Sequence, residues 1–438
     1  MATVTLPKIP KEAEFEELVA ALLQSTGYYV ERRIEEHEQG VQVLELDVIT
    51  SDYLQSPPDI RIHEVKSGKW GLKEVFKVGG WMRHLKIEHG SFIVQDSLTD
   101  EELQKIRDIA TNLGIEFVCI TDMTKPEEIL DQLTTRPRYD PGDVAVWRFS
   151  YWLERRLMAR LAAQRKSGPE RFRVLFDHAR AITHGVFFQP TIVDRLDALY
   201  DVYREYPHLS AVVASEMAGG ALDPEATGIP QKIFNQTFYE GKDNAVQTAA
   251  FLEHQARLGV MKAAIDYILY KRAGQTTKAD RTWRMKFGEN AVEFSHYNML
   301  PQSFRDGLEK IQKEPYVHLY PLFWQWFMWA FGGFILTDLK DREYAALAER
   351  TGIPIDHIPA ALAAYDALFP IPEGWFVDGY RSNMRLLRIF PVPFRGIGSF
   401  LRRIVHTKSM DLADLHLGGQ FTTSDMEKWI SVLVKYLS

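Results

Sequence analysis

The sequence predicts an α/β domain over its first 123 residues and, after a connector, a larger, mainly α-helical domain. Three observations carry this. The 438 residues exceed one ordinary core, so two or three domains are expected. Helical and strand-like apolar patterns alternate up to about Ile120 in the order α-β-β-β-α-β-α-β. Beyond that, long amphipathic stretches dominate.

The first helix spans Lys11 to Ser25, with Phe15, Leu18, Val19, Leu22 and Leu23 spaced as one buried stripe, and Gly27 ends it. Three strands follow, Tyr28–Ile34, Val41–Ile49 and Ile60–Lys66, the last two separated by the loop "TSDYLQSPPD". A helix from about Leu72 to Lys86 leads to the strand "SFIVQ", and a helix from Glu101 to Leu113 leads through Gly114 to "IEFVCI". Crossover helices late in this order imply a mixed sheet covered by helices. Residues 124–142, "TKPEEILDQLTTRPRYDPG", hold three prolines and read as a linker. The 143–438 part carries amphipathic stretches at Val144–Gln164, Thr191–Tyr206, Val246–Tyr270, Glu343–Arg350, Ala360–Leu368 and Met426–Leu437, with a subdivision expected near 219–230. No fixed-period repeat or low-complexity tract is present.

Composition narrows the class. The 46% hydrophobic and 25% charged fractions are those of a soluble globular protein. A single cysteine, Cys119, excludes an intramolecular disulfide framework and a cysteine-built zinc cluster, and its apolar run reads as a buried position. The opening "MATVTLPKIPKEAEFEEL" lacks a signal pattern, so a cytoplasmic location is expected. The net charge of −7 is unevenly spread: residues 1–125 hold 14 Lys/Arg and 22 Asp/Glu, a net of −8, which leaves +1 for the rest.

The segment "HEVKSGKW", residues 63–70, carries the most chemistry. In a strand, Glu64 and Lys66 share a face and Val65 points into the opposite layer. Asp47, near the end of "VQVLELDVIT", can lie beside Glu64 on the adjacent strand. From the first helix, Glu16 borders the apolar stripe next to Leu23, and Glu12 lies one turn earlier on the same edge. Glu17 falls roughly opposite, in solvent. Two carboxylates and a backbone carbonyl, that of Val65, suit Mg²⁺, with Mn²⁺ as a substitute. A lysine alongside can orient or deprotonate a water and add positive charge where negative charge develops. The plainer alternative is an exposed Glu–Lys pair with Asp47 starting a turn.

The run "EFEELVAALLQSTGYYVE", then "ELDVIT", then "HEVKSGK" resembles the PD-(D/E)XK, or restriction-endonuclease-like, nuclease superfamily. Its Mrr-like branch is the most similar, because a Phe-Glu pair begins the first helix and a Gly-Tyr follows it. The resemblance covers about residues 11–120. It implies that Asp47 and Glu64 bind the metal, that Lys66 assists the water and that Glu16 completes the catalytic set. Asp47 is preceded by Leu46 where the family name has proline. The resemblance also implies a nucleic-acid substrate, DNA first, and a host-defence or DNA-processing role. A nuclease-like fold that binds nucleic acid or protein without turnover is the alternative.

Three basic clusters are candidate nucleic-acid contacts. Residues 379–410 contain Arg381, Arg385, Arg388, Arg395, Arg402, Arg403 and Lys408 without an acid, interleaved with aromatics. Residues 271–288, with Lys271, Arg272, Arg281, Arg284 and Trp283, read as a loop or ribbon. Residues 155–173 equally suit the outer face of an amphipathic helix. The uncharged run Val317–Thr337 has the length of a bilayer span, but Pro321 and Gly332–Gly333 favour a buried core helix, so no membrane contact is expected. A membrane anchor there is the second alternative. Homo-oligomerisation or a partner protein is expected to involve the helical domain. His84, His89, His178 and His184 have no metal-ligand spacing, and no Gly-rich phosphate loop or serine elbow occurs.

Overall fold

The computed structural model describes residues 9–38, 41–123, 125–134, 136, 140–183, 188, 189, 191–205, 245–275, 282–370, 376–378 and 384–387. They divide into two compact units, one running to Trp152 and one starting at Leu153.

The first unit is a mixed sheet covered by helices, as the apolar patterns predict. Its elements are α1 (Ala13–Ser25), β1 (Tyr29–Glu38), β2 (Val41–Asp52), β3 (Asp59–Lys66), α2 (Leu72–Leu85), β4 (His89–Gln95), α3 (Asp100–Thr111) and β5 (Ile115–Ile120). The sheet order is β1-β2-β3-β4-β5. The two hairpin connections make β1, β2 and β3 antiparallel, whereas α2 and α3 carry the chain over so that β3, β4 and β5 run parallel. Acidic Glu14 and Glu16 occupy the first turn of α1, where the helix dipole favours them, and Gly27 takes φ 93° just beyond its end. The hairpin strands run longer than their apolar cores suggest, because backbone pairing continues through the polar residues to Glu38 and Val41.

Two features depart from the sequence reading. Glu17 is not in solvent: only 2% of it is exposed. Helix α1 packs against β1, β2 and β3 and also against a short helix, α4 (Glu128–Leu133), inside the segment read as a linker. A helix covered on two sides buries more than one stripe, so the single-stripe wheel fails for Glu17.

His63, on β3, is buried between two hydroxyls, with Thr50 Oγ1 2.9 Å from Nε2 and Ser91 Oγ 2.7 Å from Nδ1. Burial pushes its pKa down to about 3. Because the folded value lies below the unfolded one, its contribution to stability is present above about 6.5 and is lost as pH falls toward 3. His63→Gln, which keeps side-chain hydrogen bonding but cannot titrate, should therefore flatten the acid side of the stability profile. The expected difference is a few kcal/mol, at about 1.4 kcal/mol for each tenfold change in proton affinity. Urea midpoints of both proteins at pH 7, 5 and 4 check this, and parallel profiles would contradict it.

The second unit is mainly helical. Its long helix Ala245–Arg272 is buried along most of its length and packs on the helices Glu170–Thr183 and Ile192–Glu205. The Val317–Thr337 run is core, as expected, but not one helix. A 3-10 turn (Val317–Leu319), an α-helix (Tyr320–Gln325) and a π-helix (Trp326–Ala330) follow one another. Gly332 and Gly333 at φ 71° and 75° then turn the chain into the strand Phe334–Leu336. Among the described residues no helix is long and apolar enough to cross a membrane, which removes the anchor alternative for this run. The stretch Met426–Leu437 lies outside the described residues.

Candidate active site

The pairing of β2 with β3 sets the site. Val48 lies opposite His63 in the antiparallel register, which puts Asp47 beside Glu64. The Val65 amide donates to Asp47 Oδ2 at 3.0 Å, fixing that carboxylate against β3. Lys66, two residues after Glu64 and on its face, brings Nζ within 3.1 Å of Asp47 Oδ2 and 2.7 Å of Glu64 Oε1. Asp47 and Glu64 are buried, with 7% and 2% of their side chains exposed, whereas Lys66 keeps 30%. Leu46, Ile62, His63, Val78 and Trp81 line a small cleft together with Asp47 and Glu64.

Helix α1 reaches the same place. The Glu12 amide donates to Ser67 Oγ at 2.5 Å, tying the start of α1 to the loop that ends β3. Glu12 itself is exposed. Glu16, one turn on, is close enough to feel the charges of Lys66, Arg32 and Arg33 and to raise the Asp47 pKa. Arg33 Nη2 lies 3.4 Å from Glu16 Oε2. Arg33 has φ 51° in the middle of β1, between the pairs Arg32–Val48 and Ile34–Leu46, and so faces Asp47 across the ladder. A non-glycine residue held there is strained by about 1–2 kcal/mol.

Electrostatics mark this cluster. Burial raises the Glu16, Asp47 and Glu64 carboxyls above their ordinary values, against the pull of Lys66 on each. Burial disfavours the Lys66 ammonium, but Asp47 and Glu64 outweigh it and hold its pKa above the usual lysine range. Shifted carboxylates around a lysine in a cleft are the pattern of a functional site.

Asp47, Glu64 and Lys66 are thus in contact, and Glu16 lies within electrostatic reach of Asp47 and Lys66. The sequence reading did not single out Lys77, whose Nζ lies 2.7 Å from Glu64 Oε1, or Arg33. The spacing of Glu74, Lys77 and Trp81 puts them on one face of α2 beside the buried Val78, but which strand residue that face meets is set by how α2 lies on the sheet.

The basic candidates among the described residues belong to the second unit. Arg385 lies on the strand Met384–Leu387, between Phe334–Leu336 and Phe376–Asp378, and pairs in register with Asp378. Arg381, Arg388, Arg395, Arg402, Arg403 and Arg281 lie outside the described residues. The strands Thr282–Phe287 and Asn290–Ser295 form the expected ribbon. Exposed Arg284 lies opposite Glu293 in it, an acid just beyond the stretch that looked basic in sequence. Lys271 and Arg272 end the long helix, exposed, and Arg272 donates to the Gln312 carbonyl.

Residues 10–124 match the family model described as a restriction endonuclease, of the Mrr catalytic type. This segment, about a quarter of the chain, is therefore a restriction-endonuclease-like nuclease domain of the PD-(D/E)XK superfamily. No curated protein and no solved structure matches the chain.

The two glutamates of α1 should separate. Glu16→Gln should lower turnover with little change in stability, while Glu17→Gln should mainly cost stability. Unfolding midpoints and cleavage rates of both variants check this. A larger loss of turnover in Glu17→Gln would contradict the placement.

Proposed function

We propose that the protein is a metal-dependent nuclease that hydrolyses phosphodiester bonds in DNA, with Asp47, Glu64, Lys66 and Glu16 as its catalytic set. The observation that carries this reading is the meeting of Asp47, Glu64 and Lys66 within about hydrogen-bonding distance inside a restriction-endonuclease-like domain. The donor set fits a hard divalent cation. Glu64 Oε2 is buried and without a hydrogen-bond partner, an expensive state that a cation would relieve. Among the described residues no three His, Cys, Asp or Glu side chains converge as a metal cluster. Mg²⁺, or Mn²⁺ in its place, would therefore be held by Asp47, Glu64, the Val65 carbonyl and water.

A cation there supplies positive charge against the reacting phosphate and favours ionisation of water. Glu64 and Asp47 hold the negative charge that retains it. Lys66 spends two of its three donors on these carboxylates, which leaves one to orient the attacking water or contact a phosphate oxygen. Glu16 borders the same space and can accept a hydrogen bond from that water. The second unit is proposed to select substrate, sense a trigger or mediate assembly, with Arg284, Lys271, Arg272 and Arg385 among its contacts to nucleic acid. A host-defence or DNA-processing role accords with this reading.

The test is incubation of the full chain with plasmid, linear duplex, single-stranded DNA and RNA, each in Mg²⁺, Mn²⁺ or EDTA. Cleavage of DNA in the metals and not in EDTA is expected. Binding without cleavage in any metal would assign an inactive binding module instead.

A further inference from the structure

We infer that Lys77, outside the E-x-K motif, is a positioning residue that fixes the Glu64 carboxylate for cation binding; this rests on the nuclease reading of the site. Glu64 Oε1 is gripped by two ammonium groups from two elements, Lys66 of β3 and Lys77 of α2, each at 2.7 Å. The other oxygen, Oε2, is buried and makes no hydrogen bond. The orientation of this carboxylate is therefore set through one atom.

The two lysines differ in what else they hold. Lys66 divides its ammonium between Glu64 and Asp47, so any turn of Lys66 toward a phosphate loosens both carboxylates together. Lys77 is anchored on its own helix. Glu74 Oε2 lies 3.3 Å from it one turn earlier, and the Trp81 ring centre lies 4.3 Å from it one turn later. Trp81 also lines the cleft beside Asp47 and Glu64. Glu74, Lys77 and Trp81 thus form a clamp on one helix face that keeps Glu64 in place while Lys66 is free to act. Partners that orient a metal ligand in this way affect affinity or activity by about 10- to 100-fold.

A lysine present only to neutralise a buried carboxylate gives the opposite result for cation affinity. Removing its charge would tighten a divalent cation, whereas removing an orienting contact weakens it. Mn²⁺ binding to the full chain, measured by calorimetry without nucleic acid, separates the two. Lys77→Gln should weaken Mn²⁺ binding by about 10-fold and lower kcat on DNA similarly, with KM little changed. Lys77→Arg, which keeps a charged donor, should restore most of both. Lys105→Gln, at an exposed position of α3, removes an equal charge and should change neither. Tighter or unchanged Mn²⁺ binding by Lys77→Gln overturns the inference. Glu74→Gln loosens the clamp and retains the Lys77 charge, and it decides the matter where Lys77→Gln does not fold: weaker binding supports positioning, unchanged binding overturns it. A wild-type chain that cleaves no nucleic acid while the Mn²⁺ ranking holds would sink the nuclease reading and leave the positioning intact. Cleavage with the ranking absent does the reverse, and a wild-type chain that neither cleaves nor binds Mn²⁺ overturns both.

Discussion

Asp47→Asn, Glu64→Gln and Lys66→Ala should each lower phosphodiester hydrolysis by at least about 10²-fold, the scale of losing a cation ligand or an electrostatic group at a reacting phosphate. The two amide variants should remain folded. Burial holds the Asp47 and Glu64 carboxyls above their ordinary pKa values. A carboxyl whose folded pKa is raised contributes stability that is complete below its unfolded pKa and is lost as pH rises through the folded one. At neutral pH both groups therefore oppose folding, and the amides relieve that. In Glu64→Gln the lysines retain other partners, Asp47 for Lys66 and Glu74 for Lys77. Lys66→Ala differs, because it leaves two buried carboxylates with one cation fewer, and its stability should fall as pH rises from 5 to 8. Cleavage rates with unfolding midpoints at both pH values check all three. Near wild-type turnover in two of them would mean that the site lies elsewhere.

Gly307→Ala should destabilise the second unit by about 3 kcal/mol, at the upper end of overpacking costs. Gly307 is buried in the helix Gln302–Ile311, which packs on the helix Ile358–Leu368. A Cβ there would fall on the backbone carbonyl of Ala367, closer than real Cβ atoms come to any neighbour. Backbone cannot swing aside as a side-chain tip can, so the helices must part. Their separation would loosen Phe304, Leu308, Tyr365 and Leu368, all fully or nearly fully buried. In an open helix the same change stabilises by up to about 1 kcal/mol, so the sign of the effect is itself diagnostic. Denaturant unfolding of the variant gives the measurement, and a gain in stability would refute the close approach.

The nuclease domain was legible because its signals are local. Period-two and period-3.6 patterns name the strands and helices, and the two-residue spacing of Glu64 and Lys66 needs only a strand to share a face. Asp47 beside Glu64 required one further step, an antiparallel register, which the loop between the strands allows. What escaped depends on packing between distant elements. Helix α1 is covered by α4 as well as by the sheet, and the residues of α4 look like connector in sequence, so the wheel left Glu17 in solvent. The Lys77 contact requires knowledge of how α2 lies on the sheet. The strained Arg33 sits in a strand pattern that gives no hint of a positive φ. In the second unit, the Val317–Thr337 run was legible as core but not as three helix types, since hydrophobicity alone does not fix the winding of the backbone. The Arg284–Glu293 pairing depends on a hairpin turn that brings an acid back onto a basic strand.

Asp47 and Glu64 are proposed to hold a divalent cation for phosphodiester hydrolysis. The most direct measurement is a single-turnover cleavage assay in Mg²⁺ with wild-type protein and Glu64→Gln, paired with DNA binding of both in Ca²⁺. Cleavage by the wild type, loss of at least about 10²-fold in the variant, and equal DNA binding by the two are expected. Equal cleavage rates, or wild-type cleavage that persists in EDTA, would contradict it.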